Sequence, residues 1–135
     1  MKRKWLISFS VSACALAVCG PLFAHHGAAS YSDKAVVLKD AIVTKFVWAN
    51  PHSILQFDVK DDKGDVTHWA GEAGSPSAVG LLGWNRNSFQ PGDVITVYIF
   101  PAKSGNPVGR LNKIVLADGK TLRDSQLGAE KSKDQ

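Results

Sequence analysis

Residues 54–72 read ILQFDVKDDKGDVTHWAGE, two alternating runs on either side of a short polar loop. In the first run Leu55, Phe57 and Val59 fall on one side, and polar residues dominate the other. A period of two residues is typical of a strand with one buried face. Gly64 can adopt the left-handed backbone that a tight loop needs. The stretch therefore predicts a β-hairpin.

The hairpin also indicates its own register. A three-residue loop at 62–64 places Phe57 opposite Trp69 inside the fold, and Asp58 opposite His68 outside it. A two-residue loop would set Trp69 against a polar residue and turn the inner face toward solvent. We therefore expect the three-residue loop.

A long first strand is predicted upstream, over residues 38–48. Its apolar side carries Leu38, Ile42, Phe46 and Trp48. Asp40 and Thr44 fall on the same side, which indicates a bend or bulge near Ala41. Asn50-Pro51 ends the strand, because proline cannot donate to a sheet ladder.

Downstream, Ser75-Pro76 predicts the start of a helix, with serine as the N-cap and proline in the first turn. Gly83 suits its end, which gives about two turns that bury Val79 and Leu82 or their neighbours. Residues 90–93, Gln-Pro-Gly-Asp, have the composition of a type II turn.

Two further strands are predicted at 94–100 and 110–117, so three strands precede the helix and two follow it. This order is that of a five-stranded Greek-key barrel of the OB type. An open meander with a helical lid is the alternative. We expect the barrel over residues 35–126, after a flexible leader at 25–34 and before a disordered tail at 127–135.

Met1–Ala24 has the three parts of a secretory signal peptide. Lys2-Arg3-Lys4 is the positive segment, an apolar run follows, and the segment ends in Phe23-Ala24. The run is too short to span a bilayer comfortably, so the mature form is expected to have no membrane span. Cleavage after Ala24 implies a periplasmic protein. A lipid anchor on Cys19 is the alternative, although Val18 is larger than the residue usual before a lipidated cysteine.

Removal of the signal changes the charge and the cysteine content. The loss of Lys2, Arg3 and Lys4 reduces 16 Lys and Arg to 13, against 12 Asp and Glu, a net charge of +1. This leaves no basic excess that would indicate nucleic-acid binding. Both cysteines lie in the signal, so no disulfide is expected.

Several short motifs extend across the mature chain. They are His25-His26, Trp48-x-Asn50-Pro51-His52, Trp69-x-x-Glu72, Gly74-Ser75-Pro76, Gly83-Trp84 and Pro91-Gly92-Asp93. This combination resembles a family of small exported Gram-negative proteins that is catalogued as a domain of unknown function. The resemblance implies a periplasmic, small all-β domain. It implies no reaction, substrate or catalytic residue.

The mature amino terminus is a candidate copper site. His25 would offer its α-amine and its ring nitrogen, and His26 a further nitrogen. Sites rich in nitrogen ligands suit Cu(II). His52 or His68 would complete the site, and we favour His52 because His68 has Asp58 opposite it.

The second candidate is a polar pocket at one end of the barrel. The predicted register pairs Ile54 with Glu72, which makes His52 and Glu72 diagonal neighbours. Trp48 and Asn50 would complete a ligand-binding set with Glu72. The chain is thus expected to be a non-enzymatic binding protein for copper. The alternative is a small-ligand module, or an adaptor of an envelope complex, that uses Trp48, Asn50, His52 and Glu72.

The position of the cut is directly testable. Mass spectrometry of the exported protein should find an amino terminus at His25, because Ala24 is the small residue at the end of the signal. A lipid-modified amino terminus at Cys19 would contradict this expectation and would remove the free amine of His25.

Overall fold

The computed structural model describes residues 30–125, which form six strands and one short helix. The elements are β1 (Val36–Val47), β2 (Ile54–Lys60), β3 (Val66–Glu72), α1 (Pro76–Gly80), β4 (Val94–Pro101), β5 (Val108–Val115) and β6 (Thr121–Arg123). The predicted signal peptide, His25, His26 and the predicted tail at 127–135 lie outside the described residues. Among the residues described, no helix is long and apolar enough to cross a membrane.

Five of the strands form a closed barrel of the OB type, in the order β3-β2-β1-β4-β5. Neighbouring strands run antiparallel, except that β3 and β5 are parallel and close the barrel. The predicted all-β barrel with a helix between the third and fourth strands is therefore confirmed, and the open meander is excluded. α1 lies between β3 and β4 along the chain.

The β2–β3 hairpin has the predicted register throughout. Phe57 pairs with Trp69, and Asp58 with His68. The Phe57 and Trp69 rings are stacked, with centroids 6.4 Å apart and planes 5° from parallel. Phe57 is fully buried, so the inner face of the hairpin is the one predicted.

β1 bends around the barrel by means of two irregularities. It pairs with β4 through its first half and with β2 through its second. The register shifts between Leu38 and Ala41, where Asp40 has a φ of 53°, and again between Val43 and Lys45. The predicted bulge near Ala41 is confirmed, and a second one lies at Thr44.

Each bulge changes which side chains face the core. Ala41 and Val43 are buried, whereas Ile42 is 47% exposed. The placement of Ile42 on the apolar side was wrong, because an extra residue in a bulge shifts the alternation by one position. Phe46 and Trp48 lie beyond the second bulge and pack against the core as predicted.

The helix begins as predicted and ends early. The hydroxyl of Ser75 accepts a hydrogen bond from the backbone N–H of Ala78 at 3.3 Å. The helix stops at Gly80, and Gly83 follows in a turn with a φ of 92°. Val79 is buried, but Leu82 is exposed because it lies beyond the last helical residue.

β6 is a strand that the sequence did not predict. Leu122 is buried, and the backbone N–H of Gly74 donates to the carboxylate of Asp124 at 2.8 Å. The indole N–H of Trp84 donates to the carbonyl of Arg123 at 2.9 Å. Residues 121–124 therefore bind the segments that precede and follow α1.

Two glycines face each other where the barrel closes. Gly71 of β3 pairs with Gly109 of β5. A Cβ on Gly109 would lie 2.5 Å from the carbonyl oxygen of Phe100, and a Cβ on Gly71 would lie 2.4 Å from the Leu111 side chain. Gly71 thus allows β3 to lie close to β5, and Gly109 allows β5 to lie close to β4.

We expect Gly109→Ala to destabilise the protein by about 2 kcal/mol or more, since a clash with backbone cannot be relieved by a rotamer change. Urea denaturation followed by tryptophan fluorescence would measure the free energy of unfolding. Gly80→Ala is the matched control. A Cβ added at Gly80 would have no atom within 4 Å. The free energy of unfolding of this variant should therefore stay within about 0.5 kcal/mol of wild type. Equal effects of the two changes would contradict the closure argument.

Candidate functional site

The β2–β3 register brings His52 and Glu72 together at one rim of the barrel. Ile54 pairs with Glu72, the last residue of β3, and His52 lies two residues before Ile54. Nδ1 of His52 is 3.1 Å from the Glu72 carboxylate and 3.3 Å from the carbonyl oxygen of Ala73. Both side chains are more than one-third exposed. The predicted proximity of these two residues is thus present, with their polar groups open to solvent.

Both neighbours of His52 Nδ1 are hydrogen-bond acceptors when Glu72 is ionised. In a neutral imidazole, one ring nitrogen carries the proton and the other carries a lone pair. The proton therefore belongs on Nδ1 of His52, where two oxygens accept it. This tautomer leaves Nε2 as the nitrogen with a free lone pair.

Tyr31 and Arg110 adjoin this pair. Arg110 of β5 is the register partner of Glu72, and its guanidinium lies 5.2 Å from the ring centroid of Phe100. Burial raises the pKa of Tyr31; the negative charge of Glu72 raises it further, while Arg110 lowers it. Tyr31, Glu72 and Arg110 therefore share one electrostatic neighbourhood.

Tyr31 is held there by backbone pairing with the end of β4. It forms an isolated antiparallel bridge with Ala102. On either side of it, Ser32 donates to the carbonyl of Pro101 at 2.8 Å and Lys103 donates to that of Ser30 at 3.0 Å. Residues 30–32, which the sequence assigned to a flexible leader, are thus attached to the barrel beside Glu72.

Trp48 and Asn50 are placed differently from His52 and Glu72. The Trp48 ring packs 5.8 Å from that of Phe46, which also contacts Trp84 and Phe89. Asn50 is exposed and is joined to Pro51 by a cis peptide bond. No hydrogen bond links either side chain to His52 or Glu72 among the hydrogen bonds of residues 30–125. The four residues share an end of the barrel without forming one polar cluster.

His68 and Asp58 form a separate pair on the outer face of the hairpin. Nδ1 of His68 lies 2.6 Å from the Asp58 carboxylate, and the His68 side chain is 81% exposed. This is the predicted cross-strand pair. His68 lies four positions before Glu72 on β3, so the two histidine–carboxylate pairs lie apart.

A family described as "Family of unknown function (DUF6152)" matches residues 13–112. The chain belongs to this family. The resemblance drawn from the sequence motifs is thereby confirmed. Comparisons with curated proteins and with solved structures gave no match.

The region that matches DUF6152 contains every candidate site residue, from His25 to Arg110, and excludes β6. Of the proposed metal ligands, only His52 lies among the described residues. Within residues 30–125, no three His, Cys, Asp or Glu side chains come together as a metal-binding group. His52 of this DUF6152 chain therefore offers a single nitrogen and is not part of such a group within residues 30–125.

Sequence reasoning missed Tyr31 and Arg110. Residues 28–34 show no alternation, and a bridge of a single residue leaves no periodic signal. Arg110 was assigned to the fifth strand, but its role as partner of Glu72 follows from the parallel closure of β3 and β5. A strand pairing between distant segments has no local signature.

The electrostatic link between Glu72 and Tyr31 in this DUF6152 protein can be measured. We expect Glu72→Gln to lower the pKa of Tyr31 while leaving it above its ordinary value, because burial is the larger cause of the shift. An absorbance titration in a Tyr98→Phe background reports Tyr31 alone, since the chain has two tyrosines.

Asp58→Asn is the matched control, because it removes a carboxylate from the same sheet at a distance from Tyr31. It should leave the Tyr31 titration unchanged. The pKa of Tyr31 also makes the stability of the fold depend on pH. Because this pKa is raised in the folded state, the protonated phenol stabilises the fold below its ordinary pKa of 10.0, and this stabilisation is lost as the pH rises through the folded pKa. An unchanged Tyr31 titration in Glu72→Gln would contradict the placement.

Proposed function

We propose that the protein is an exported, non-enzymatic copper-binding protein of the periplasm. Its site would combine the amino-terminal His25 and His26 with His52 of the barrel rim. The observation that supports this most is the environment of His52. Its Nδ1 faces two oxygen acceptors, Glu72 and the carbonyl of Ala73, so Nε2 is available to a metal.

The contact with Glu72 suits a metal-binding histidine. A histidine that binds a metal through one nitrogen commonly donates its other N–H to a carboxylate or a carbonyl. Such a partner fixes the ring orientation and increases the basicity of the ligand nitrogen. Glu72 would therefore orient His52 and would not itself bind the copper.

The anchoring of Tyr31 supports the choice of His52 over His68. Tyr31 is held beside Glu72, and His26 precedes it by five residues. A chain spans at most about 3.5 Å per residue, so His26 can lie no more than roughly 17 Å from Tyr31. His68 lies about 13 Å further along β3 than Glu72, at 3.3 Å per residue. A tether of this length can reach either histidine, but it needs less extension, and so loses less conformational entropy, to reach His52.

The donor set favours Cu(II). The free α-amine of His25, with a pKa near 8 for such groups, loses its proton easily and chelates together with the ring nitrogen. His26 and His52 add imidazole nitrogens. Nitrogen-rich tetragonal sites suit Cu(II), which also heads the affinity order of the divalent first-row metals.

An envelope adaptor or small-ligand module is the second candidate. It is favoured by one observation, namely that the His52 and Glu72 side chains are 38% and 36% exposed at the rim. A partner could then contact the pair directly, with Trp48 and Asn50 beside it. Under this function His52 matters for the partner and not for the metal.

A comparison of two amino termini tests the copper site. The form that starts at His25 with a free amine should bind Cu(II) at least about 100-fold more tightly than the same form with its α-amine acetylated, because acetylation removes the amine from chelation. Calorimetry would give the affinity, and paramagnetic resonance the nitrogen coordination. Equal affinity in the micromolar range or weaker for both forms would overturn the amino-terminal site.

Substitutions within the barrel separate the two candidate functions. His52→Ala and Glu72→Gln should each weaken Cu(II) binding by about tenfold or more, since loss of an outer partner alone commonly costs that much. His68→Ala is the matched control and should have no effect. Unchanged copper affinity in His52→Ala, together with loss of a co-purifying envelope protein, would favour the adaptor.

A further inference from the structure

The closure between β3 and β5 is short and leaves part of β3 open. It consists of three register pairs, from Ala70–Val108 to Glu72–Arg110. One further hydrogen bond joins the backbone N–H of Ala70 to the carbonyl of Pro107 at 3.1 Å. Residues 66–69, here called the β3 edge, pair with β2 but have no strand partner on their other side among residues 30–125.

The direction of the Ala70 N–H identifies which backbone groups are open. In a strand, successive residues point their N–H and C=O groups to alternate sides. Because Ala70 points toward β5, His68 and Val66 point the same way. Each of these two residues therefore presents an N–H and a C=O that no described strand pairs. An exposed row of such groups is a template for another strand.

A groove of about 430 Å³ lies beside the β3 edge. It is lined by residues of β1, β2, β3 and the start of β5, among them Thr44, Gln56, Asp58, His68, Ala70 and Val108. Val66 and Val108 are 49% and 40% exposed and offer apolar surface at the edge and the groove. The groove can receive one side chain of a strand that pairs with the edge.

The charge around this edge favours a basic segment. The β2–β3 hairpin carries Asp58, Asp61, Asp62 and Asp65 against Lys60 and Lys63. Asp58 lines the groove itself. Lysine or arginine side chains of an added strand would therefore meet an excess of carboxylates.

We propose that the β3 edge binds an extended, basic polypeptide segment of a partner protein by strand addition, with one apolar side chain in the groove. Backbone hydrogen bonds to Val66 and His68 supply the pairing, and alternate side chains supply the selectivity. This surface lies toward the opposite end of β3 from His52 and Glu72. The inference is independent of copper binding.

The test uses the chain as isolated after export, labelled with ¹⁵N, and a hexapeptide of alternating lysine and valine as the probe. We expect saturable amide shifts confined to residues 66–70 and Val108. The same peptide with every backbone amide methylated should bind at least about tenfold more weakly, because it cannot donate to the β3 edge. An alternating glutamate–valine peptide should bind at least as poorly.

Two substitutions at one position separate backbone pairing from side-chain contact. His68→Pro removes an N–H that points away from β2, and it should weaken binding of the lysine–valine peptide by about tenfold. His68→Ala keeps that N–H and should stay within about threefold of wild type. If His68→Pro does not fold, the methylated peptide still decides the question on the wild-type chain.

Three results would overturn the proposal. The methylated peptide could bind as tightly as the unmethylated one, which would exclude strand pairing. The glutamate–valine peptide could bind equally well, which would exclude the charge preference. Light scattering could show a dimer whose formation shifts residues 66–70 without peptide, which would assign the edge to a second copy of the chain.

Discussion

The close approach of β3 and β5 at Gly71 and Gly109 is the constraint on which the rest of the structure depends. Four of the five junctions in the barrel are antiparallel ladders, and their strands have ample length to pair. The fifth is a parallel contact of three register pairs, with a glycine on each strand at its centre. A side chain at Gly71 would meet Leu111 of β5, and one at Gly109 would meet the carbonyl of Phe100 on β4, so either would displace β5 from a neighbouring strand. An open sheet would expose the core residues on its inner face to water.

The same contact fixes both surfaces that carry the proposed activities. At its end, Glu72, which the hairpin makes the carboxylate partner of His52, is set opposite Arg110 and beside Tyr31. At its beginning, Ala70 is set opposite Val108, the first residue of β5, which leaves the β3 edge without a strand partner beside its groove. A longer closure would cover the edge, and an absent one would remove the partner of Glu72. The arrangement around Glu72 at the rim and the open β3 edge thus both follow from the short pairing between β3 and β5.

Local sequence patterns predicted the hairpin but not the pairings between distant segments of the chain. The register of β2 and β3 followed from the loop at 62–64 and from alternation, because a shift of one residue would have turned Trp69 outward. The wrong position of Ile42 and the missed pairing of Tyr31 have a common origin. A bulge residue and a single bridge are set by strands far away in the sequence, and neither has a periodic signal of its own. The proximity of His52 and Glu72 was predictable because a hairpin joins them.

The sequence motifs on which the family resemblance was drawn divide into two groups when the contacts are considered. Gly74 lies against Asp124 and Ser125, Ser75 caps α1, and Trp84 donates to the carbonyl of Arg123. In the Pro91-Gly92-Asp93 motif, Gly92 has a φ of 95°, and the Asp93 carboxylate accepts a hydrogen bond from the backbone N–H of Gln90. Packing and turn geometry account for these residues completely.

His52 and Glu72 belong to the other group. Both side chains are more than one-third exposed, and their contact contributes little stability at a solvated rim. In a buried network each polar residue is needed, because its loss would leave a buried partner without a hydrogen bond. At the rim, water can replace the lost partner. The fold therefore does not require a histidine and a glutamate at these two positions. The contact between them leaves Nε2 of His52 with a free lone pair. This nitrogen lies near the point where residues 30–32 attach to the barrel. The proposed ligand, bound through that nitrogen, would give the pair a role that packing does not.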